Sequence, residues 1–167
     1  MNNLICCCSG HRMIPPDQRD TLRVKFWDAA LQVCGLGVTR FRVGGAIGFD
    51  ALAAETLIEL RNQFPHLDIT LYKPFEGYFR GWSEGEIATY NKLLPLYNRI
   101  VVVCDPPPKS RSYAYLKRDR YLVDGSTYLI AYCNKRSGGT AYTLRCAQKT
   151  GCHIINIAHE SERQTVV

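Results

Sequence analysis

Apolar residues along the chain fall into short continuous runs separated by longer segments with helical periodicity. Residues 4–8 form an apolar run closed by the polar turn Ser9-Gly10-His11-Arg12, the signature of a buried strand. Pro15-Pro16-Asp17 then opens a helix with Asp17 as its cap, Leu22, Phe26, Ala29, Ala30 and Val33 on one face, and Gly35 and Gly37 at its end. Residues 41–43 make a second strand, followed by a glycine turn and an alanine-rich helix over residues 49–62 that Phe64-Pro65 stops. Residues 68–73 alternate as a third strand. Residues 75–82 hold two glycines and four aromatics and read as a covering loop. Ser83 with Glu86 forms a capping-box pattern at the start of a helix carrying Ile87, Tyr90, Leu93 and Leu94. The run Ile-Val-Val-Val within residues 99–104 suits a strand buried on both faces. A rigid break at Asp105-Pro106-Pro107-Pro108 precedes a helix over residues 113–123, a fifth strand at 128–133, a fifth helix opened by Gly138-Gly139-Thr140 and closed near Gly151, and a sixth strand at 153–157.

This alternation predicts an α/β fold: a Rossmann-like, three-layer, doubly wound and mainly parallel sheet of about six strands with right-handed crossovers. Residues 1–158 read as a single domain and residues 159–167 as a polar tail. In such sheets ligands lie beyond the carboxyl ends of the strands. Three loops fall there, residues 9–12, 44–48 and 138–140, each with free backbone N–H groups at or near a helix start.

Gly44, Gly45, Ala46 and Gly48 can cradle an anion, because glycine permits positive φ and leaves no Cβ in the way; equally, such glycines can serve only to let two elements pack closely. Convergence of this stretch with Ser9, Gly10, His11 and Arg12, and with Gly138, Gly139 and Thr140, favours an anionic ligand. Arg12 suits phosphate by charge and fork geometry, and His11 could donate to phosphate or ribose or be a surface residue of the turn. Asp50 and Glu55 could bond ribose hydroxyls, although a carboxylate at Asp50 is favoured by the helix dipole in any case. Trp82 with Phe79 could stack a base or close the core under a loop, and Asp124 and Ser126 read most simply as caps.

Composition narrows the classes. The chain of 167 residues carries a formal charge of +6, but its basic residues are spread from Arg12 to Arg163, with one modest cluster at Lys109, Arg111, Lys117, Arg118 and Arg120 that reads as a solvated helix flank. That distribution argues against a nucleic-acid partner. Six of the eight cysteines lie in or beside apolar runs and read as reduced core thiols, and no paired CxxC or CxxH spacing supports a metal. No apolar run is long enough to span a bilayer, which gives the expectation of a soluble cytosolic protein that binds no membrane.

Ser-Gly-His-Arg after the first strand, Gly-Gly-Ala-Ile-Gly-Phe-Asp-Ala-Leu-Ala-Ala-Glu after the second, Lys-Pro-Phe-Glu-Gly with nearby Trp82, Arg-Asp-Arg-Tyr-Leu-Val-Asp-Gly-Ser at 118–126 and Ser-Gly-Gly-Thr at 137–140 together resemble the YpsA-like (DUF1273) family over residues 3–157. That family is part of the SLOG superfamily, whose Rossmann-like members include the LOG cytokinin-activating hydrolases and the DNA-processing protein DprA. The resemblance implies a pocket for a nucleotide-derived small molecule, with no further cofactor required; analogy with LOG proteins admits a homodimer. Three functions compete: a sensing or binding module, a LOG-type nucleotide N-glycosidase, and a DprA-like binder of single-stranded DNA. In the hydrolase pattern Arg118 or Arg120 matches the arginine and Gly139-Thr140 the glycine–threonine pair, but Tyr142 and Thr143 stand where a catalytic glutamate is expected. Binding without catalysis is therefore the favoured reading.

Overall fold

The computed structural model describes residues 3–158, so the polar tail expected from residue 159 onward lies outside the described residues. The apolar runs become β1 (Leu4–Gly10), β2 (Val38–Val43), β3 (Asp68–Lys73), β4 (Arg99–Val102), β5 (Tyr128–Tyr132) and β6 (His153–Asn156). They pair in parallel as one sheet in the order β4-β3-β2-β1-β5-β6. The connecting helices are α1 (Arg19–Gly35), α2 (Phe49–Leu60), α3 (Glu84–Leu93), α4 (Arg111–Val123) and α5 (Gly139–Thr150). The sheet is thus wholly parallel and the architecture is Rossmann-like α/β.

Strands β1 to β4 are laid down outward in one direction, and the chain then returns to place β5 on the other side of β1. Right-handed crossovers therefore put α1, α2 and α3 on one face and α4 and α5 on the other. The triple cysteine displays the two-residue period of a strand: Cys6 and Cys8 pack with Phe26, Leu52 and Leu57 on the first face, while Cys7 packs with Leu122, Leu129 and Ala147 on the second. All eight cysteines are free thiols, and burial pushes those of Cys6 and Cys8 up, which makes them packing groups rather than nucleophiles. Among the described residues no cluster could hold a metal ion and no helix is long and apolar enough to cross a membrane.

Local chemistry sets the helix starts. At α3 the Ser83 hydroxyl accepts from the Glu86 N–H at 3.2 Å while the Glu86 carboxylate accepts from the Ser83 N–H at 2.8 Å, so the capping box is formed. At α1 the two prolines instead impose a 3-10 turn, Pro16–Gln18, which takes in Asp17; the helix begins after it with no side-chain cap. The apolar β4 is also not buried on both faces. It is the edge strand, with β3 as its sole neighbour among the described residues, and Ile100 is 43% exposed.

Gly10, at the end of β1, lies against the ring of Phe49, the first residue of α2. A Cβ there would overlap the ring, so this glycine fixes how closely α2 approaches the sheet. Gly10→Ala is expected to cost about 1–3 kcal/mol by overpacking. Urea denaturation checks this, and an unchanged midpoint would contradict it.

Candidate functional site

Because the sheet is parallel, the loops after β1, β2 and β5 emerge on one edge, and because β1 lies between β2 and β5, they are neighbours. His11 joins all three. Its N–H donates to the Tyr132 carbonyl at 3.1 Å, its carbonyl accepts from the Phe49 N–H at 3.1 Å, and its Nε2 accepts from the Asn134 N–H at 2.9 Å. Burial and then the Lys135 charge hold the imidazole below its ordinary pKa, which suits a neutral ring with Nε2 as acceptor. His11 thereby pins the β5–α5 loop in place, and its Nε2 is committed to the backbone.

Beneath these loops lies a buried charge cluster. Arg118 of α4 is 5% exposed; its Nε donates to Asp119 at 2.9 Å and its Nη1 donates to the Gly44 carbonyl. Asp50 of α2, 6% exposed, accepts from the Ala46 N–H at 3.0 Å. Burial opposes the Arg118 charge, but Asp119 and Asp50 raise its pKa nonetheless. Burial likewise raises Asp119, against the Arg118 charge. Arg118 is therefore no solvated flank: it ties the β2–α2 loop to α4. Asp119, adjacent to it, is a site residue that the pattern reading passed over. Its signal was available, since Arg118 falls midway between the buried Ala114 and Leu122 at four-residue spacing, placing a charged pair on an apolar face.

Two adjoining cavities result. The first, of about 520 Å³, brings together Ser9, Gly10, His11, Arg12, Ala46, Asp50, Arg118, Gly138, Gly139 and Thr140 of the expected set, and adds Asp119, Tyr115 and Lys135. Gly138 has φ +97°, a Cβ there would face open space, and α5 starts there without a side-chain cap. Its first-turn amides, carrying positive partial charge, thus open on the same cavity as Arg12 and Lys135. No carboxylate forms an ion pair with either cation among the described residues. Arg12 instead lies over the Tyr115 ring, 5.3 Å from its centroid. Gly45, Gly48, Glu55 and Trp82 line the second cavity, of about 390 Å³, and Arg12 and Ala46 belong to both.

The glycine turn after β2 serves packing at most of its positions. A Cβ on Gly45 would meet Leu71 at 2.5 Å and the Tyr78 hydroxyl at 2.6 Å, and Tyr78 already donates to the Gly45 carbonyl at 2.8 Å. At Gly48, φ is +75° and a Cβ would overlap the Arg12 carbonyl. Gly44 has the Asp50 carboxylate and Arg118 guanidinium over it. Among the three candidate loops, the open glycine turn is the one at the start of α5. Gly125 and the Ser126 hydroxyl, which donates to the Leu122 carbonyl at 2.7 Å, close α4 rather than reach the site.

The family model YpsA, described as the YspA SLOG family, matches residues 22–158, and the chain belongs to this family. A UPF0398 protein of Halalkalibacterium halodurans is 25% identical over 113 residues, which are 68% of this chain and 60% of that protein. The SPbeta prophage-derived protein YoqJ of Bacillus subtilis is 27% identical over 120 residues, 66% of this chain and 70% of that protein. The chain thus spans about 60% of the length of the first of these relatives. DNA processing protein A from Streptococcus pneumoniae superposes with a TM-score of 0.68 at 13% identity, covering 98% of this chain and 53% of that one. DNA processing protein A from Helicobacter pylori, in a structure concerned with its single-stranded DNA binding mode, gives 0.63 at 18% identity, covering 95% of this chain and 67% of that one. At these identities the likeness is one of fold.

Burial raises the Asp50 pKa from 3.8 to about 6, against the Arg118 charge and the Ala46 N–H. A folded pKa above the unfolded one means that proton binding stabilises the fold below about pH 4 and that this contribution is lost as pH rises through about 6. Asp50→Asn removes it. The stability of the wild type relative to Asp50→Asn is expected to fall by about 2–3 kcal/mol between pH 4 and pH 7 in urea denaturation. A pH-independent difference would contradict the assignment.

Proposed function

We propose, from membership of the YspA SLOG family and from the cavity between the ends of β1 and β5, that the protein binds a nucleotide or nucleotide derivative and acts as a ligand-binding or sensing module. The observation that carries this reading is the meeting of the uncapped α5 N-terminus with Arg12 and Lys135 in one cavity where the strand order reverses. A phosphate there takes hydrogen bonds from first-turn amides and charge from two cations that form no ion pair with a carboxylate among the described residues. Asp50 and Asp119, deeper in the same cavity, are acceptors for ribose hydroxyls, the role a carboxylate plays in dinucleotide-binding sheets. No additional cofactor is needed for this role.

Hydrolysis of a glycosidic bond is not part of the proposal. Where the hydrolase pattern has glutamate, this chain has Tyr142 and Thr143, and the Thr143 hydroxyl donates to the Gly139 carbonyl at 3.0 Å. Asp50 and Asp119 are held by the Ala46 N–H and by Arg118 respectively.

A second reading, single-stranded nucleic acid binding, is supported by one surface feature and by the description of the Helicobacter pylori neighbour, and both weigh against setting nucleic acid aside on charge distribution alone. On α4, Tyr113 and Tyr121 are 50% and 43% exposed, and the Lys117 ammonium lies 6.0 and 5.7 Å from their ring centroids. Exposed aromatics interleaved with lysine are a stacking platform for bases.

Isothermal titration with nucleoside monophosphates and with an oligothymidylate separates the readings. The proposal expects monophosphate binding, weakened about tenfold in Arg12→Ala and in Lys135→Ala through loss of one charged hydrogen bond each. Absence of monophosphate binding at millimolar concentration would refute it. Oligonucleotide affinity that falls steeply with salt, and that Tyr113→Ala with Tyr121→Ala abolishes, would favour the second reading instead.

A further inference from the structure

The second cavity, about 390 Å³ between α2 and α3, differs in chemistry from the first. Its walls include Trp82, Tyr90 and Tyr97, and its rim carries Glu55, which pairs with Arg19 at 3.4 Å. Trp82 sits edge-on to Tyr78, with centroids 5.5 Å apart, and 6.0 Å from Tyr90, so the indole is held by a packed aromatic cluster while one side faces the cavity. Tyr90 is only 7% exposed, and its hydroxyl is buried within this cluster. It lies beside the Tyr78 hydroxyl, whose own proton is given to the Gly45 carbonyl.

Arg12 is common to both cavities and free of ion pairs among the described residues, so the one cation at the junction is available to an anionic linker. Each cavity separately falls within the roughly 300–1,000 Å³ typical of small-molecule sites. A mononucleotide in the first leaves the second unfilled. We infer that the ligand is of the dinucleotide class: one nucleoside phosphate sits in the first cavity, the diphosphate linker passes Arg12, and a second flat ring system enters the second cavity against Trp82. This rests on the reading of the first cavity as a nucleotide site.

The test compares adenosine monophosphate with diadenosine diphosphate by calorimetry and by quenching of tryptophan emission, of which Trp82 is one of two sources. Diadenosine diphosphate is expected to bind at least about tenfold more tightly than the monophosphate, consistent with one extra stacked base, and to quench Trp82. Trp82→Leu, which retains apolar packing, is expected to remove the quenching and the advantage of the dinucleotide while leaving monophosphate affinity within about twofold. A dinucleotide that binds no more tightly than the monophosphate, or a Trp82→Leu substitution that weakens both ligands alike, overturns the inference and leaves the first site standing. Failure of the monophosphate to bind, with or without dinucleotide binding, overturns the first site and the inference that rests on it together.

Discussion

A single guanidinium, that of Arg118, holds together the two halves on which the site depends. It enters from α4, on one face of the sheet, and bonds the Gly44 carbonyl at the end of β2, which leads into α2 on the other face. Burying such a charge costs several kcal/mol unless partners surround it, and here Asp119 beside it and Asp50 across the loop supply them. The consequence is a floor in which positive and negative groups are fixed by backbone and by one another. Arg12 and Lys135, which form no ion pair with a carboxylate among the described residues, are left as the exposed cations of the first cavity.

His11 does for the rim what Arg118 does for the floor. With its backbone and ring it joins the loops that follow β1, β2 and β5, so the start of α5 is held where its amides face Arg12. The reversal of strand order beside β1 makes this possible: adjacent parallel strands whose connections leave in opposite directions open a crevice that neighbouring strands with the same sense of connection would fill.

Much of this was legible in the chain. The alternation of apolar runs with helical periods, Ser83 with Glu86, and Gly151, which closes α5 at φ +73°, are local signals with local causes, and the structure carries them all. So was the gathering of three loops on one edge, because it follows from parallel strands. Features set by distant partners were not. An Ile-Val-Val run looks alike at the centre and at the edge of a sheet, and strand order made β4 an edge. The spacing of Arg118 between Ala114 and Leu122 signals its burial, but not its partner, the Gly44 carbonyl 74 residues earlier. The two roles of glycine separate in the same way: Gly10, Gly45 and Gly48 are explained by Phe49, by Leu71 and Tyr78, and by the Arg12 carbonyl, while Gly138 faces open space.

The most direct test of the phosphate site is an amide spectrum of the isotopically labelled protein during titration with a nucleoside monophosphate. The amides of Gly139, Thr140 and Ala141, which open α5, are expected to shift together and to saturate, along with those of Arg12 and Lys135. A titration in which these amides stay unmoved, or in which the shifts gather on the outer face of α4 at Tyr113 and Tyr121, would contradict a phosphate held at the start of α5.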